Sequence, residues 1–117
     1  MQNIPPQVQA MLGQFEGYQQ QLQLVVQQKG KVQAELTEAK KALEEIEKLP
    51  DDAVIYKTVG TLIVKTEKEK AVQELKEKVE TLEVRLNALE RQEKKLNEKL
   101  KELTAQIQSA LRQPVAG

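Results

Sequence analysis

The stretch AVIYKTVGTLIVK, residues 53–65, is the one β-like run in a chain of 117 residues, and its reading decides the fold. Val54, Tyr56 and Thr58 alternate with Ile55, Lys57 and Val59, and Gly60 offers a turn into a second apolar run, Leu62, Ile63 and Val64. A two-stranded hairpin is marginal in water unless further strands or another element cover it. The flanking sequence must therefore be asked what cover it can supply.

On both sides the pattern is helical. Every seventh residue from Val8 gives Val8, Phe15, Leu22, Lys29, Leu36 and Leu43, and the interleaved series gives Met11, Tyr18, Val25, Val32, Ala39 and Ile46. These are the a and d positions of unbroken heptads, with Lys29 the one polar intruder. After the hairpin the pattern resumes as Val72, Val79, Leu86, Glu93, Leu100 and Ile107 at a, and Leu75, Leu82, Leu89, Leu96, Leu103 and Ala110 at d. Glu93 is the intruder here.

Local chemistry marks the boundaries. Pro5 and Pro6 suit a first helical turn, Pro50 stops helix 1 near Leu49, Thr66 with Glu69 reads as a capping box, and Pro114 ends helix 2 near Arg112. The expected organisation is a single domain over 1–117, with helix 1 over 6–49, the hairpin over 53–65 and helix 2 over 67–112. Each helix would be about 65 Å long, whereas the 16 or so residues between them reach at most about 55 Å. The helices must therefore pair antiparallel, as a mainly α fold: a long two-helix coiled coil with a central β-hairpin. Ile46 then faces the level of Val72, Val8 that of Ala110, and Lys29 comes within one layer of Glu93. The two intruders can pair and fix the register.

With both helical stripes used on each other, nothing in the chain is left to cover the hairpin. Its edges and its apolar residues Val54, Ile55, Tyr56, Val59, Leu62, Ile63 and Val64 call for hairpins of other subunits, closing into an oligomeric β-barrel. A hairpin that merely decorates the end of the coil is the alternative.

The charges are unevenly spread. Of 18 basic and 18 acidic residues, only Glu16 and Arg112 lie outside Lys29–Glu102. Antiparallel pairing brings the two charge-poor ends together at the tip farthest from the hairpin. There Ile4, Leu12, Leu111 and Val115 lie off the seam, and exposed apolar residues of that kind mark interaction surfaces. Gly13, Gly17 and Gly30 favour bending in helix 1.

Catalysis is not expected. The chain has no His, no Cys and a single Ser, Ser109, so the usual nucleophile and base pairs cannot be assembled. No phosphate-binding glycine motif occurs, and no metal or cofactor is called for. The zero net charge and near absence of aromatics argue against nucleic acid, and the lack of long apolar runs against a membrane. A cytoplasmic location is expected, since the start MQNIPPQVQAML carries no leader pattern.

With its heptads, its central DDAVIYKTVGTLIVKTEKEKAVQEL and its later LERQEKKLNEKLKEL, the whole chain resembles the beta-type subunits of archaeal prefoldin. The core VIYKTVGTLIV between two equal coils is the most specific part, and room for one hairpin rather than two favours the beta type over the alpha. The resemblance implies a hetero-hexamer of two alpha and four beta subunits, a double β-barrel body and six projecting coils. It implies an ATP-independent chaperone that holds unfolded proteins at the tips and passes them to a group II chaperonin. Client contacts in that family lie on apolar tip residues, here Val8, Met11, Leu12, Phe15, Ile107 and Leu111. Two other readings stay open: a structural coiled-coil spacer, and an adaptor whose tip docks one folded partner.

Overall fold

The computed structural model describes residues 4–112. Its elements are α1 (Pro6–Glu47), β1 (Ile55–Val59), β2 (Leu62–Thr66) and α2 (Lys68–Arg112), so the expected pair of long helices with one hairpin between them is the architecture found. Val115 and Pro114 lie outside the described residues. The described chain forms two compact units, residues 4–29 with 88–112, and residues 30–87.

α1 starts as its prolines dictate. The Pro5 carbonyl accepts from the amides of both Val8 and Gln9 at 3.0 Å, and Pro6 occupies the first helical position, where a missing amide hydrogen is no loss. The helix runs unbroken through Gly13, Gly17 and Gly30, so the bending expected of them is not expressed as a break. It ends at Glu47, two residues earlier than the sequence suggests. Pro50 disfavours helical backbone before it, and the last turn tightens into a bond from the Leu49 amide to the Ile46 carbonyl. The freed carbonyls are satisfied by a cation from the other helix. Lys68 Nζ donates to the carbonyls of Leu49 at 2.7 Å and Glu47 at 3.3 Å, and lies 3.4 Å from Asp51 Oδ1.

The expected capping box is displaced. Thr66 closes β2 opposite Ile55, and the Ala71 amide bonds to the carbonyl of Glu67, which makes Glu67 the N-cap. The cause is the ladder itself, which takes Thr66 into the sheet and starts α2 one residue later.

β1 and β2 pair antiparallel from Ile55↔Thr66 to Val59↔Leu62, leaving Gly60 and Thr61 as a two-residue loop. Gly60 has φ +60° and no other described residue has a positive φ, the pattern of a type II′ turn, whose hand matches the strand twist. Residues directly opposite share a face, so the register puts Ile55, Lys57, Val59, Leu62, Val64 and Thr66 on one face and Tyr56, Thr58, Ile63 and Lys65 on the other. The apolar residues are thus divided between two faces.

In both units the core is the helix seam. Every a and d position named above is buried or half-buried, and four d positions of α2, Leu82, Leu89, Leu96 and Leu103, are buried, as is Ala71 at a g position. Full burial of a leucine contributes about 1.5–3 kcal/mol, so this row is the largest stabilising term available. No polar residue is buried among the described residues. The two seam intruders meet, Lys29 Nζ lying 2.9 Å from Glu93 Oε1 with each side chain about one-quarter exposed. This hydrogen bond raises the Lys29 pKa above its usual 10.5, against a smaller opposing effect of desolvation, with the charges of Glu93 and Glu90 adding to the rise.

Two outcomes follow from these local geometries. A double-mutant cycle on Lys29→Met and Glu93→Met is expected to show stabilising coupling in denaturant unfolding. Because the folded-state lysine pKa is raised, the coupling should be constant through neutral pH and vanish as pH climbs past 10.5. No coupling at neutral pH would remove the pair as a register lock. Gly60→Val forces a branched side chain into the left-handed region at a cost of about 1–2 kcal/mol, which should speed amide exchange in both strands by roughly tenfold while the helices are unchanged.

Candidate functional site

Two surfaces have no partner among the described residues. The first is the hairpin, in the unit of residues 30–87. Val54, Tyr56, Val59, Leu62, Ile63 and Val64 are all exposed, Ile63 to 73%, and Ile55 is half-buried. Since β1 and β2 pair with no third strand among the described residues, each also presents an outer edge of unpaired amides and carbonyls. Such a surface is expensive to leave in water, and its remedy is further strands.

The hairpin is nonetheless held in place. Lys57 Nζ donates to both carboxylate oxygens of Glu74 on α2, at 2.9 and 3.0 Å, and the Lys68 contacts tie the first residue of α2 to the end of α1. An open cleft beside this tie is lined by Asp51, Asp52, Val54, Lys65, Lys68 and Val72, mixing both charges with apolar surface. A neighbouring strand could seat there. No other described segment does.

The second surface lies in the unit of residues 4–29 with 88–112. Leu12 is 42% and Leu111 61% exposed, and Ile4 is exposed as well. Leu12 lies 17 residues before Lys29 and Leu111 18 residues after Glu93, so the antiparallel pair bonded at Lys29–Glu93 places the two leucines at one level. Both are at heptad position e, a flank that coiled coils normally fill with charge. Met11, Phe15 and Ile107 are half-buried in the seam and show part of their surface. Val8 is different: at 1% exposure it is the most buried side chain described and offers nothing to a partner in this conformation. The six named tip residues therefore divide into two exposed, three partly exposed and one hidden.

Four further exposed apolar residues, Leu24, Val26, Leu49 and Val84, were not singled out as surface from the sequence. The signal was present. Each stands outside the a and d series, and Leu24 and Val26 flank Val25 in the run LQLVVQQ, where a heptad count alone marks only Leu22 and Val25 as core. Among the described residues no helix is long and apolar enough to cross a membrane.

Comparison with known proteins agrees with this architecture. The prefoldin subunit family profile matches residues 9–114. Prefoldin subunit beta of Thermococcus kodakarensis is 89% identical over 117 residues, all of both chains. The Methanosarcina acetivorans protein of the same name is 48% identical over 108 residues, 92% of each chain. The crystal structure of the prefoldin beta subunit from Thermococcus strain KS-1 superposes with a TM-score of 0.89 at 89% identity, covering 97% of this chain and all of that one. The beta2 subunit of the same strain, 20% identical with a TM-score of 0.71 over 78% of this chain and 97% of that one, shares the fold. By profile, sequence and structure together, the chain belongs to the beta subunits of the prefoldin family.

Proposed function

We propose that this chain is a subunit of an ATP-independent molecular chaperone of the cytoplasm, which binds non-native proteins at its helix ends and delivers them to a group II chaperonin. Four copies combine with two alpha-type subunits through the hairpins, whose edges and apolar faces close into barrels. The observation that carries this reading is the pairing of Leu12 with Leu111 at one level on an uncharged flank, exposed and without cover. Apolar contacts of that kind are weak singly and need no nucleotide. Several such ends on one body multiply them by raising the effective concentration of the second and later contacts.

The half-buried Met11, Phe15 and Ile107 supply a soft margin around the two leucines. Methionine in particular adapts its shape to irregular partners, which suits binding of many clients rather than one. Val8 then acts as the packed support of this end, not as a contact.

Assembly and client binding are separable by mutation. Ile63→Asp places a charge where strands of different subunits would meet, and should abolish the hexamer in analytical ultracentrifugation while the helical circular dichroism stays largely intact. An intact complex would rule out the hairpin as the joint. Leu12→Glu with Leu111→Glu should leave the hexamer assembled and lose most of the suppression of light scattering from denatured citrate synthase. Thr81→Glu with Val84→Glu, the same two charges on exposed surface of the other unit, should change little. A spacer would suppress no aggregation in any form, and an adaptor would bind one native protein and ignore the unfolded one.

A further inference from the structure

The opposite flank of the same unit carries a second surface. Coiled coils usually place opposite charges at the g positions, where they pair across the flank. Here three successive g positions of α1 are Gln14, Gln21 and Gln28, and α2 answers with Gln92, Lys99 and Gln106. Lys99 meets no carboxylate on that flank. Its ammonium instead lies 5.2 Å above the Tyr18 ring, and neither it nor Lys95 is in an ion pair among the described residues.

Between the helices this leaves an open cleft of about 360 Å³, floored by Val25 and Leu96, walled by Leu24 and rimmed by Lys95 and Lys99. Leu24 is 59% exposed. No acidic residue lines this cleft. A second stretch shares Lys99 and continues along Tyr18 to Gln14 and Gln106, with Glu102 its one acid. The two make a track along one side of the coil.

We infer that this glutamine and lysine track binds extended segments of non-native polypeptide in which carboxylate side chains stand beside apolar ones. The glutamines of α1 recur every seven residues, about 10.5 Å along a helix, which is close to the length of three residues of extended chain. Each amide both donates and accepts, so exposed backbone amides and carbonyls of a chain laid along the track find partners there. Native proteins have already paired those backbone groups. Leu24 takes an apolar side chain, and Lys95 and Lys99, in no ion pair among the described residues, take carboxylates. The assignment rests on the chaperone reading and gives it a second contact with its own chemical preference.

The test uses the assembled protein and two fluorescein-labelled peptides, one alternating leucine with glutamate and one alternating leucine with lysine, titrated by anisotropy. The wild type should bind the acidic peptide roughly tenfold tighter than the basic one, and less so in high salt. Lys95→Glu with Lys99→Glu should invert the preference, Leu24→Ser should weaken both peptides, and Leu12→Glu with Leu111→Glu should leave the preference in place. Reversal of Lys70 and Lys78, elsewhere on α2, should leave it too. Equal binding of the two peptides to the wild type, or inversion by the Lys70 and Lys78 control, overturns the track. So does a change in sedimentation on Lys95 and Lys99 reversal, which would put another copy of the chain in the cleft. Failure of the wild type to slow aggregation would strike the chaperone reading while the peptide titration still reads the track. Normal holding by a wild type whose peptide preference survives Lys95 and Lys99 reversal would strike the track alone.

Discussion

Two helices of more than forty residues, in a chain with one Phe and two Tyr, have only each other to bury against, and the a and d seam is where all of that burial is spent. The buried leucines of α2 are at d, Leu82, Leu89, Leu96 and Leu103, with Val8, Val25, Val32, Leu36 and Ala39 buried on α1. A heptad stripe of two positions in seven is narrow. It satisfies a partner helix and nothing more. Any apolar residue off that stripe, and any strand in the chain, is left without cover by the arithmetic of the pattern rather than by accident of packing.

The hairpin shows what this shortage costs. Six of its apolar residues stand in water on two faces, and two ion-pair sets hold it where burial cannot. The bidentate Lys57–Glu74 contact and the Lys68 contacts to the end of α1 are exposed or partly exposed, and pairs of that kind contribute modestly, roughly 0.2–1 kcal/mol each. They aim the hairpin; they do not stabilise it in the way a third strand would. A surface held in position and left uncovered is prepared for assembly, and the membership of the chain in a family of subunits accords with that.

Much of this was legible in the sequence because it depends on period. The heptads from Val8 to Ile46 and from Val72 to Ala110 fix which residues meet, and the short connection fixes the antiparallel sense, so even the Lys29–Glu93 contact follows from counting. Other features were hidden because they depend on local competition. The start of α2 turned on whether Thr66 would cap a helix or pair with Ile55, and the ladder prevailed. The division of hairpin apolar residues between two faces required the register. Val8 looked like a tip contact because it is apolar and near the chain end, yet burial is decided by the partner helix, which a single sequence does not display. The track along Gln14, Gln21 and Gln28 was overlooked for a related reason: glutamine carries no charge, and attention to charge alone passes over an amide row.

That row clarifies what the uneven charge distribution means. In residues 30–87 the flanks carry charges of both signs, and one pair joins the two helices there, Lys40 lying 3.3 Å from Glu83. In the other unit the same flank positions hold Leu12 and Leu111 on one side and glutamines with unpaired lysines on the other. A flank whose charges are paired has little left to offer a partner, because a newcomer must break an existing contact to make its own. A flank of amides, lone ammonium groups and leucines has its valences open. Each unit has the same kind of heptad seam, while their flanks differ in kind. Stability rests on the a and d positions while the proposed recognition falls on e, g and c, so a substitution at one set need not disturb the other.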